Sequence, residues 1–468
     1  MVFSSPAFLY YFLPMTLVAY FLTPAPKGSP RLRNVTLLVA SLVFYAWGEP
    51  RYVFLMVAQC IVAWGFSLLI TKHRGKKAAK ALMLASIAVS LSGLLFFKYA
   101  NFFITNVNSL TGGEFPLIGL LMPIGISFYT FQLVSYTIDL YWGRIEVQRN
   151  VLDFSTYVAS FPQLVAGPIV RYSDVAVALA GRGHDWSRFA IGIRRFIIGL
   201  GKKMLLANLF GQLVEVYKAS GDQSALFVWI YLVAFTLQIY FDFSGYSDMA
   251  IGLGHVFGFK FPENFNYPYI ADSVTNFWRR WHMTLSGWFR DYVYIPLGGN
   301  RVKAPRQVLN ILAVWMLTGF WHGADWNFIL WGGYFGLVLL VEKFVLGKLL
   351  EKAPKVLRHV YVMLIVFVSW LFFDAAGFAS AFGAIGLMFG AGGVFASSEA
   401  LYYLRSYAVP IALGVVGATP LLKAMGEKIG AKKYPATILE PVFLALVLIA
   451  ATANMVDGSF NPFIYFRF

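Results

Sequence analysis

The sequence predicts an all-α polytopic membrane protein. Of its 468 residues, 59% are hydrophobic and only 13% are charged, and the mean hydropathy is +0.66. A soluble chain carries about twice that charged fraction. The Lys and Arg residues behind the net charge of +16 lie in short groups between apolar runs. Such groups are typical of topology signals and of contacts with anionic lipid headgroups, so they do not indicate a nucleic-acid partner.

Several chemistries are excluded or disfavoured by what the sequence contains. Its one cysteine, Cys60, cannot form an intrachain disulfide or a cysteine-based zinc site. The histidines never fall at helical ligand spacing, and no nucleophile elbow, P-loop or H-E-x-x-H motif is present, so we predict no metal site. The first basic residue is Lys27, so no signal peptide is expected and Ala7–Thr23 is predicted to remain as a membrane helix.

The basic loops predict the topology of the first part of the chain. Lys27–Arg33 and Lys72–Lys80 lie two spans apart and therefore share a side, which the positive-inside rule places in the cytoplasm. The N-terminus and segment 102–118 are then periplasmic. The predicted spans of this part, after the first helix, are about 34–50, 52–71, 81–98 and 119–142.

The middle of the chain is less regular. Phe161–Pro168 carries two prolines and a glycine in a run too short to cross, which predicts a re-entrant or broken segment. Segment 188–203 alternates basic and apolar residues, as in a helix that lies at the cytoplasmic surface and leads into a span. Spans are predicted at 225–241 and 246–258. Two aspartates between them, Asp242 and Asp248, either cap helix ends or line a polar cavity.

No domain linker interrupts the chain, so residues 1–468 are predicted to form a single integral membrane domain. A surface loop is expected at 396–405, and the aromatic segment 461–468 is expected to dock on the protein or on a partner. The remaining predicted spans are near 357–375, 379–395, 406–423 and 437–454.

The segment from Asn276 to Trp331 concentrates the chemistry of the chain. It holds His282, His322 and a group of arginines inside a membrane-like stretch. Ionisable residues at membrane depth are costly, so their presence is by default a functional hypothesis. We take His322 as the centre of the chemistry.

Residues 276–300 predict one basic amphipathic helix, which has two interpretations. It either anchors the protein among lipid headgroups, or it forms a cytoplasm-accessible wall that holds a phosphate-bearing substrate, because guanidinium groups favour phosphate. On the second interpretation the candidate substrate-binding residues are Asn276, Arg279, Arg280, Trp281, Arg290 and Trp321.

An apolar hairpin follows, with His322 at its bend. From Arg306 to His322 a helix would extend roughly 24 Å, and from Asp325 to Glu342 roughly 25 Å, against a hydrocarbon core of about 30 Å. If the charged ends mark one interface, His322 lies within the membrane. The alternative is two full spans joined by a turn at the far surface, where His322 is only a cap.

Short motifs that together span nearly the whole chain stand out in the sequence. They are Phe277-Trp-Arg-Arg-Trp-His282, Trp288-Phe-Arg-Asp-Tyr292, Ile295-Pro-Leu-Gly-Gly-Asn-Arg301, Trp321-His-Gly323, Leu121-Met-Pro-Ile-Gly-Ile-Ser-Phe-Tyr129, Ala166-Gly-Pro168, Tyr240-Phe-Asp-Phe-Ser-Gly-Tyr-Ser-Asp-Met249 and Phe463-Ile-Tyr-Phe466. These motifs resemble the signature of the membrane-bound O-acyltransferase (MBOAT) superfamily. The resemblance is closest to its bacterial branch, which includes the alginate O-acetyltransferase membrane subunit, cellulose-acetylation relatives and the D-alanyl transporter of teichoic acid modification.

The resemblance implies a fold and a site. The fold would be about 11–13 transmembrane or re-entrant helices around a thin core with funnels from both faces, which favours the membrane-depth position of His322. The essential histidine of the family corresponds to His322, and its upstream Trp-His to His282. The implied activity is acetyl transfer from a cytoplasmic thioester, with acetyl-CoA as donor substrate and no cofactor. The implied partners are periplasmic polysaccharide O-acetyltransferase subunits at the bacterial inner membrane, which modify an exopolysaccharide of the alginate or cellulose type.

Imidazole chemistry fits that reaction, since a neutral histidine accepts the proton of an attacking hydroxyl at neutral pH. Three rival functions stay open on the sequence alone. One is transfer of D-alanyl or another acyl group to a cell-envelope polymer. Another is a transporter without chemistry, although the inverted repeats common in transporters are not visible. The third is a scaffold for periplasmic transferases, in which both histidines are structural.

Overall fold

The computed structural model describes residues 2–26, 29–183, 185–430 and 433–458. Within those residues the secondary structure is helical and contains no strand. The helices are α1 (Ala7–Leu22), α2 (Arg31–Gly48), α3 (Tyr52–Lys72), α4 (Lys77–Thr111), α5 (Ile126–Tyr141), α6 (Val151–Ala159), α7 (Phe161–Leu164), α8 (Tyr172–Ala180), α9 (Trp186–Ala219), α10 (Ala225–Val256), α11 (Val274–Trp278), α12 (Met283–Phe289), α13 (Ala304–His322), α14 (Trp326–Lys352), α15 (Lys355–Asp374), α16 (Phe378–Met388), α17 (Ser398–Gly417), α18 (Leu421–Gly430) and α19 (Lys433–Asp457).

Eight of the described helices are long and apolar enough to cross a membrane: α3, α4, α9, α10, α14, α15, α17 and the final 20 residues of α19. Helices α1 and α16 are apolar but shorter. The prediction of an all-α polytopic membrane protein is therefore confirmed. The predicted total of about 11–13 helices includes shorter and re-entrant segments such as α7, which are not among these eight.

The chain divides into two compact units, and the first comprises residues 1–196 and 246–263. Its core is aromatic: the rings of Phe3, Phe8, Phe44 and Phe161 contact one another and are buried. Helix α7 has only four residues, all of them buried. This confirms the broken segment predicted at 161–168, whose irregular backbone is covered by protein as the membrane environment requires.

Glycine permits close helix packing in this unit. A Cβ placed on Gly252 would lie 2.6 Å from the carbonyl oxygen of Gly192, so neither position accepts a side chain without movement of the backbone. Beside this contact, Arg195 on α9 donates to Asp248 on α10 at 2.9 Å and also pairs with Glu263. Gly192 and Gly252 therefore serve close packing of α9 against α10.

The second unit comprises residues 197–245 and 264–468 and contains both candidate histidines. It has a large apolar core in which the biggest buried side chains are Trp331 and Trp370. One buried ion pair crosses this apolar environment, between Lys203 Nζ and Asp242 Oδ1 at 2.8 Å.

The prediction of separate spans at 225–241 and 246–258 is wrong, because α10 runs without interruption from Ala225 to Val256. Asp242 and Asp248 lie inside this helix and do not cap its ends. On α9, Lys203 pairs with Asp242 and Arg195 pairs with Asp248. Because both carboxylates are paired, the helix continues through this polar stretch.

Three other boundaries differ from the prediction. Helix α5 begins only at Ile126, because Pro123 and the left-handed Gly125 precede it, so residues 119–125 are not helical. Helix α4 continues to Thr111 and takes up most of segment 102–118. The loop expected at 396–405 is helical from Ser398, where the Ser397 hydroxyl accepts the Ala400 N–H at 2.9 Å. Segment 461–468 lies outside the described residues.

Candidate active site

His322 is the last residue of α13, in a hairpin whose arms approach very closely. A Cβ on Gly319 would collide with the carbonyl of Phe328, and one on Gly332 would collide with the carbonyl of Trp315. The Asp325 carboxylate accepts the Trp326 N–H at 2.6 Å and begins α14. Asp325 is exposed, whereas His322 is only 7% exposed. The imidazole therefore faces the protein interior, unlike the cap at an open turn in the alternative hairpin.

The basic segment before this hairpin is not the single helix that its pattern predicts. Helix α11 ends at Trp278, and His282 has φ 42°, in the left-handed region that non-glycine residues rarely adopt. Helix α12 starts only after it. The prediction of one continuous amphipathic helix across Asn276–Asn300 is therefore wrong. Tertiary hydrogen bonds on either side of the break explain the difference.

The first of these bonds comes from Glu342, which is buried on α14. Its carboxylate accepts the backbone N–H groups of Val274 at 2.7 Å and of Thr275 at 2.9 Å, and the Thr275 hydroxyl at 2.6 Å. These are N–H groups of the first turn of α11, which have no partner within the helix. Glu342, which the sequence offers only as one possible marker of a membrane interface, therefore fixes the start of the segment that leads to His282.

The second set of bonds comes from Asn264, which is fully buried. Its Oδ1 lies 3.0 Å from His282 Nδ1 and accepts the Thr284 hydroxyl at 2.9 Å. Its backbone carbonyl accepts the Met283 N–H at 2.9 Å. The Thr284 backbone N–H also points to Oδ1, at 3.4 Å, and identifies that atom as the oxygen. His282 must therefore donate from Nδ1, which in the neutral ring leaves Nε2 as a hydrogen-bond acceptor.

The environment of His282 keeps the ring neutral. Burial, and to a lesser extent the neighbouring His322, hold the pKa of His282 well below its usual value. The edge-to-face contact with Phe243, at 4.7 Å between ring centroids, removes water from one side of the ring. Above acidic pH the structure therefore presents a neutral imidazole at this position.

Trp321 is in ring contact with both imidazoles. Its ring centroid is 6.2 Å from that of His282 and 5.0 Å from that of His322. On its other sides His322 contacts Trp331 at 5.1 Å and Phe373 at 5.6 Å. Three of the predicted site residues, His282, Trp321 and His322, thus come together in a buried aromatic pocket.

Three other predicted residues hold the structure beside the site. The ring of Trp281 packs in the core, 5.4 Å from that of Trp370. Asn276 Oδ1 accepts the Arg280 Nε–H at 2.9 Å, and Arg280 also donates to the carbonyl of Asn266 at 3.1 Å. These hydrogen bonds link Asn276 and Arg280 to neighbouring residues of the protein.

The remaining two arginines do not join the imidazoles. Arg279 and Arg290 are exposed, whereas both histidines are buried. The Arg290 guanidinium already pairs with the adjacent Asp291 at 2.7 Å. Because the helix breaks at His282, Arg279 and Arg290 do not lie on the single amphipathic helix that the sequence predicts.

Asn264 and Glu342 are the residues that sequence reasoning missed. Asn264 lies in the polar run Glu263-Asn-Phe-Asn266, which resembles an ordinary loop. Glu342 sits at the end of an apolar helix, where a carboxylate normally marks an interface. A buried carboxylate or amide is costly unless it is hydrogen-bonded, but the sequence does not show which residues are buried.

The fold and these imidazoles fit an integral membrane transferase. Comparison with known proteins gives the family: the model described as MBOAT, membrane-bound O-acyltransferase family, matches residues 145–380. The chain belongs to the membrane-bound O-acyltransferase family, in its bacterial alginate O-acetylase branch, and is an acyltransferase.

Its relatives support this placement. The chain is 38% identical to a probable alginate O-acetylase of Azotobacter vinelandii over 100% of both proteins. It is 34% identical to a peptidoglycan O-acetyltransferase of Helicobacter pylori, over 84% of this chain and 81% of that protein. A teichoic acid D-alanyltransferase of Bacillus subtilis is 29% identical over 49% of this chain and 61% of its own length.

Proposed function

We propose that this protein transfers an acetyl group from a cytoplasmic thioester donor, acetyl-CoA, across the bacterial inner membrane for O-acetylation of an exopolysaccharide of the alginate or cellulose type. Periplasmic transferase subunits would complete the delivery. The relatives named as alginate and peptidoglycan O-acetyltransferases support an acetyl donor and a polymer product. The observation that carries the proposal is the pair of buried imidazoles around Trp321.

His322 has the role of general base. In the transfer step, the imidazole of His322 takes the proton of the acceptor hydroxyl while the hydroxyl oxygen attacks the thioester carbonyl carbon. The new C–O bond forms, the C–S bond breaks, and the departing thiolate receives the proton from the imidazolium. General-base catalysis of this kind contributes about 10²- to 10⁴-fold in rate. The aromatic pocket excludes water, which disfavours hydrolysis of the thioester.

His282 has a different role, which follows from its tautomer. Because Nδ1–H donates to Asn264, the Nε2 atom of the neutral ring accepts hydrogen bonds. It therefore orients a substrate N–H or O–H group and does not donate to the tetrahedral oxyanion. Asn264 acts through His282 and is a positioning residue.

The donor reaches the site from the side that carries the basic segment. Arg279 is exposed close to His282 in sequence and is available to a phosphate of the donor. Arg280 is already held by Asn276 and Asn266, and Arg290 by Asp291. Arg279 is thus the guanidinium we assign to donor binding.

The test uses the full chain in nanodiscs with acetyl-CoA labelled in the acetyl group and a periplasmic extract that contains the polymer and its transferases. We expect labelled polymer and free CoA in equal amounts, both dependent on His322. A parallel arm offers a D-alanyl thioester in place of acetyl-CoA, because a D-alanyltransferase is among the relatives. Preference for the D-alanyl donor, or polymer labelling by His322→Ala at the wild-type rate, would overturn the proposal.

A further inference from the structure

Helix α4 is longer than a single membrane span, and its regular geometry is interrupted near the middle. From Lys77 to Leu95 it extends roughly 27 Å, close to the hydrocarbon thickness of about 30 Å. It then widens into a π turn over Leu95–Tyr99, a feature associated with helix kinks. Tyr99 has φ −114° and ψ −13°, far from the helical values of about −63° and −42°. The interruption therefore falls at about the depth of the interface opposite Lys77.

Beyond this interruption the chain forms an arm, defined as residues 100–121. It comprises the last part of α4, a left-handed turn at Gly112 and a non-helical segment over 113–121. No residue of the described helical part, 100–111, is buried. Between Tyr99 and Met122 the sequence has one charged residue, Glu114, at the tip of the arm. The arm is thus exposed and almost uncharged.

Two asparagines tie the returning segment of the arm to its helix. The Asn101 side chain donates to the carbonyl of Ile118 at 3.0 Å and accepts the N–H of the same residue at 2.7 Å. Asn108 makes the same pair of bonds with Phe115, at 2.9 Å and 3.0 Å. Each amide therefore satisfies both backbone polar groups of one residue in a segment that is not helical.

The helical part of the arm satisfies its own polar side chains in a similar way. Three of them donate to the carbonyl four residues earlier: Asn106 to Phe102 at 2.7 Å, Ser109 to Thr105 at 2.9 Å and Thr111 to Val107 at 2.7 Å. In water such bonds add little, because water competes for the same groups. In lipid every polar group must be satisfied within the protein. The internal bonding of the arm is what a lipid environment requires.

The helix face opposite the two asparagines is apolar. Phe103, Val107 and Leu110 recur at i, i+4 and i+7, and they are 53%, 44% and 87% exposed. On the returning segment Leu117 is also exposed. The membrane-spanning part of α4 exposes apolar side chains as well, among them Leu84. The exposed apolar surface of the span therefore continues along the same helix into the arm.

We propose that the arm lies in the lipid leaflet opposite the basic loop Lys72–Lys80, with its apolar face among the acyl chains and Glu114 at the headgroups. The positive-inside rule makes this the periplasmic leaflet. Amphipathic segments bind membranes through buried apolar area and through attraction of basic residues to anionic lipids. The arm has no basic residue, so its partner is a phospholipid surface that it recognises through apolar contact alone.

The arm is held at both of its ends. Its helical end continues from the span of α4. Directly after its other end, Gly125 has φ 75°, and a Cβ placed there would lie 2.6 Å from the carbonyl oxygen of Leu164 on α7. The arm is therefore attached to the buried broken segment of the first unit, and lipid contact at the arm supports the connection between α4 and α5.

Spin labels test where the arm lies. Single cysteines are introduced in the full-length Cys60→Ser protein in nanodiscs, and each label is exposed to oxygen, which concentrates in acyl chains, and to a nickel chelate, which stays in water. At Phe103→Cys, Val107→Cys and Leu117→Cys we expect a ratio of oxygen to nickel collisions above one, as at the lipid-facing reference Leu84→Cys. At Glu114→Cys the ratio should fall below one.

The other outcomes overturn the proposal. Ratios below one at all three apolar positions would show that the arm stands in water. Weak collision with both reagents would show that protein covers it. The ratios should be the same in phosphatidylcholine nanodiscs with and without phosphatidylglycerol. A ratio above one only with the anionic lipid would refute recognition through apolar contact alone.

Hydrogen–deuterium exchange gives a second measurement on wild-type protein. In nanodiscs the peptide 112–122 should exchange more slowly than the exposed loop 73–76, because lipid limits its contact with water. Equally fast exchange of the two peptides would contradict the proposal even if a cysteine variant fails to assemble. Neither measurement uses acetyl transfer, so a negative result here leaves the proposed function untouched.

Discussion

Asn264 Oδ1 lies 3.0 Å from His282 Nδ1 and thereby determines which nitrogen of this buried histidine carries the proton. The same oxygen is held by Thr284, so the amide cannot rotate without loss of a second hydrogen bond. The chemistry available at His282 is thus set by a loop residue 18 positions upstream.

Replacing that amide by a carboxylate should shift the pH dependence of the enzyme. In wild type the lowered pKa keeps His282 neutral. Its protonation therefore affects activity only at pH values well below the usual pKa of a histidine. In Asn264→Asp the carboxylate stabilises the imidazolium, raises the pKa of His282 and removes the acceptor at Nε2. We expect the acidic limb of the rate profile to move to higher pH, measured as acetyl transfer from pH 5 to 9.

The matched control for this shift is Thr284→Val, which removes a hydrogen bond to the same oxygen without adding charge. It should reduce activity or stability with no displacement of the acidic limb. If Asn264→Asp and wild type have superimposable pH profiles, His282 does not act in its neutral form.

His322→Ala should reduce acetyl transfer by about 10²-fold or more, the usual contribution of a general base. Membrane insertion and abundance should stay near the wild-type values. His359→Ala is the control, because His359 contacts the carbonyl of Ala271 and lies outside the aromatic pocket. The measurement is label transfer per unit of inserted protein, and equal rates for the two variants would exclude His322 as the base.

Arg279→Lys should raise the KM for acetyl-CoA by about 10-fold, since a point charge cannot replace a planar guanidinium that binds phosphate through two bonds. The KM for the acceptor should not change. Arg290→Lys is the comparison, because its guanidinium already pairs with Asp291. Identical donor KM values in both variants would show that the basic segment anchors the protein among lipid headgroups and does not bind the donor.

Glu342→Ala should destabilise the protein by about 1.5–3 kcal/mol, the range for hydrogen bonds to a charged group. It leaves two N–H groups at the start of α11 without their acceptor. Because α11 leads to His282, kcat should fall as well. Thermal unfolding and turnover measure the two effects, and Glu427→Gln, at an exposed carboxylate, serves as the control. A fall in stability with unchanged kcat would show that α11 does not position His282.

The topology of α4 can be tested with cysteines at its two ends. Lys76 and Glu114 are exposed and flank the helix Lys77–Thr111, which extends roughly 52 Å and is long enough to cross the bilayer. In a Cys60→Ser background, an impermeant thiol reagent added to intact spheroplasts should label Glu114→Cys and not Lys76→Cys. Labelling of Lys76→Cys would show that α4 has the orientation opposite to the predicted one.

Composition and period along the chain predicted the membrane class and the apolar helices, whereas only the family resemblance favoured the buried position of the hairpin histidine. They failed where distant residues decide the local structure. The apparent break at Phe241–Asp248 disappears because Lys203 neutralises Asp242 within the second unit. The apparent helix at Asn276–Asn300 is broken because Glu342 and Asn264 hold its backbone on either side of His282.

The candidate site was predicted in part for the same reason. His282, Trp321 and His322 are recognisable because polar or aromatic residues in an apolar run need an explanation. The arginines were predicted to lie on one helix because a helical wheel assumes that the helix continues through the left-handed His282. Asn264 reaches the site only through the tertiary fold.

The glycine contacts in the hairpin constrain how this enzyme can be recombined with its relatives. Gly319 faces Phe328, and Gly332 faces Trp315, so each arm is fitted to the backbone of the other. A chimera with its crossover in the turn at 323–325 would join two arms from different proteins, whose backbones are not fitted to each other. One that exchanges residues 304–341 as a block keeps both contacts. The hairpin is thus the natural unit of exchange when the segment that carries His322 is transferred between members of the family.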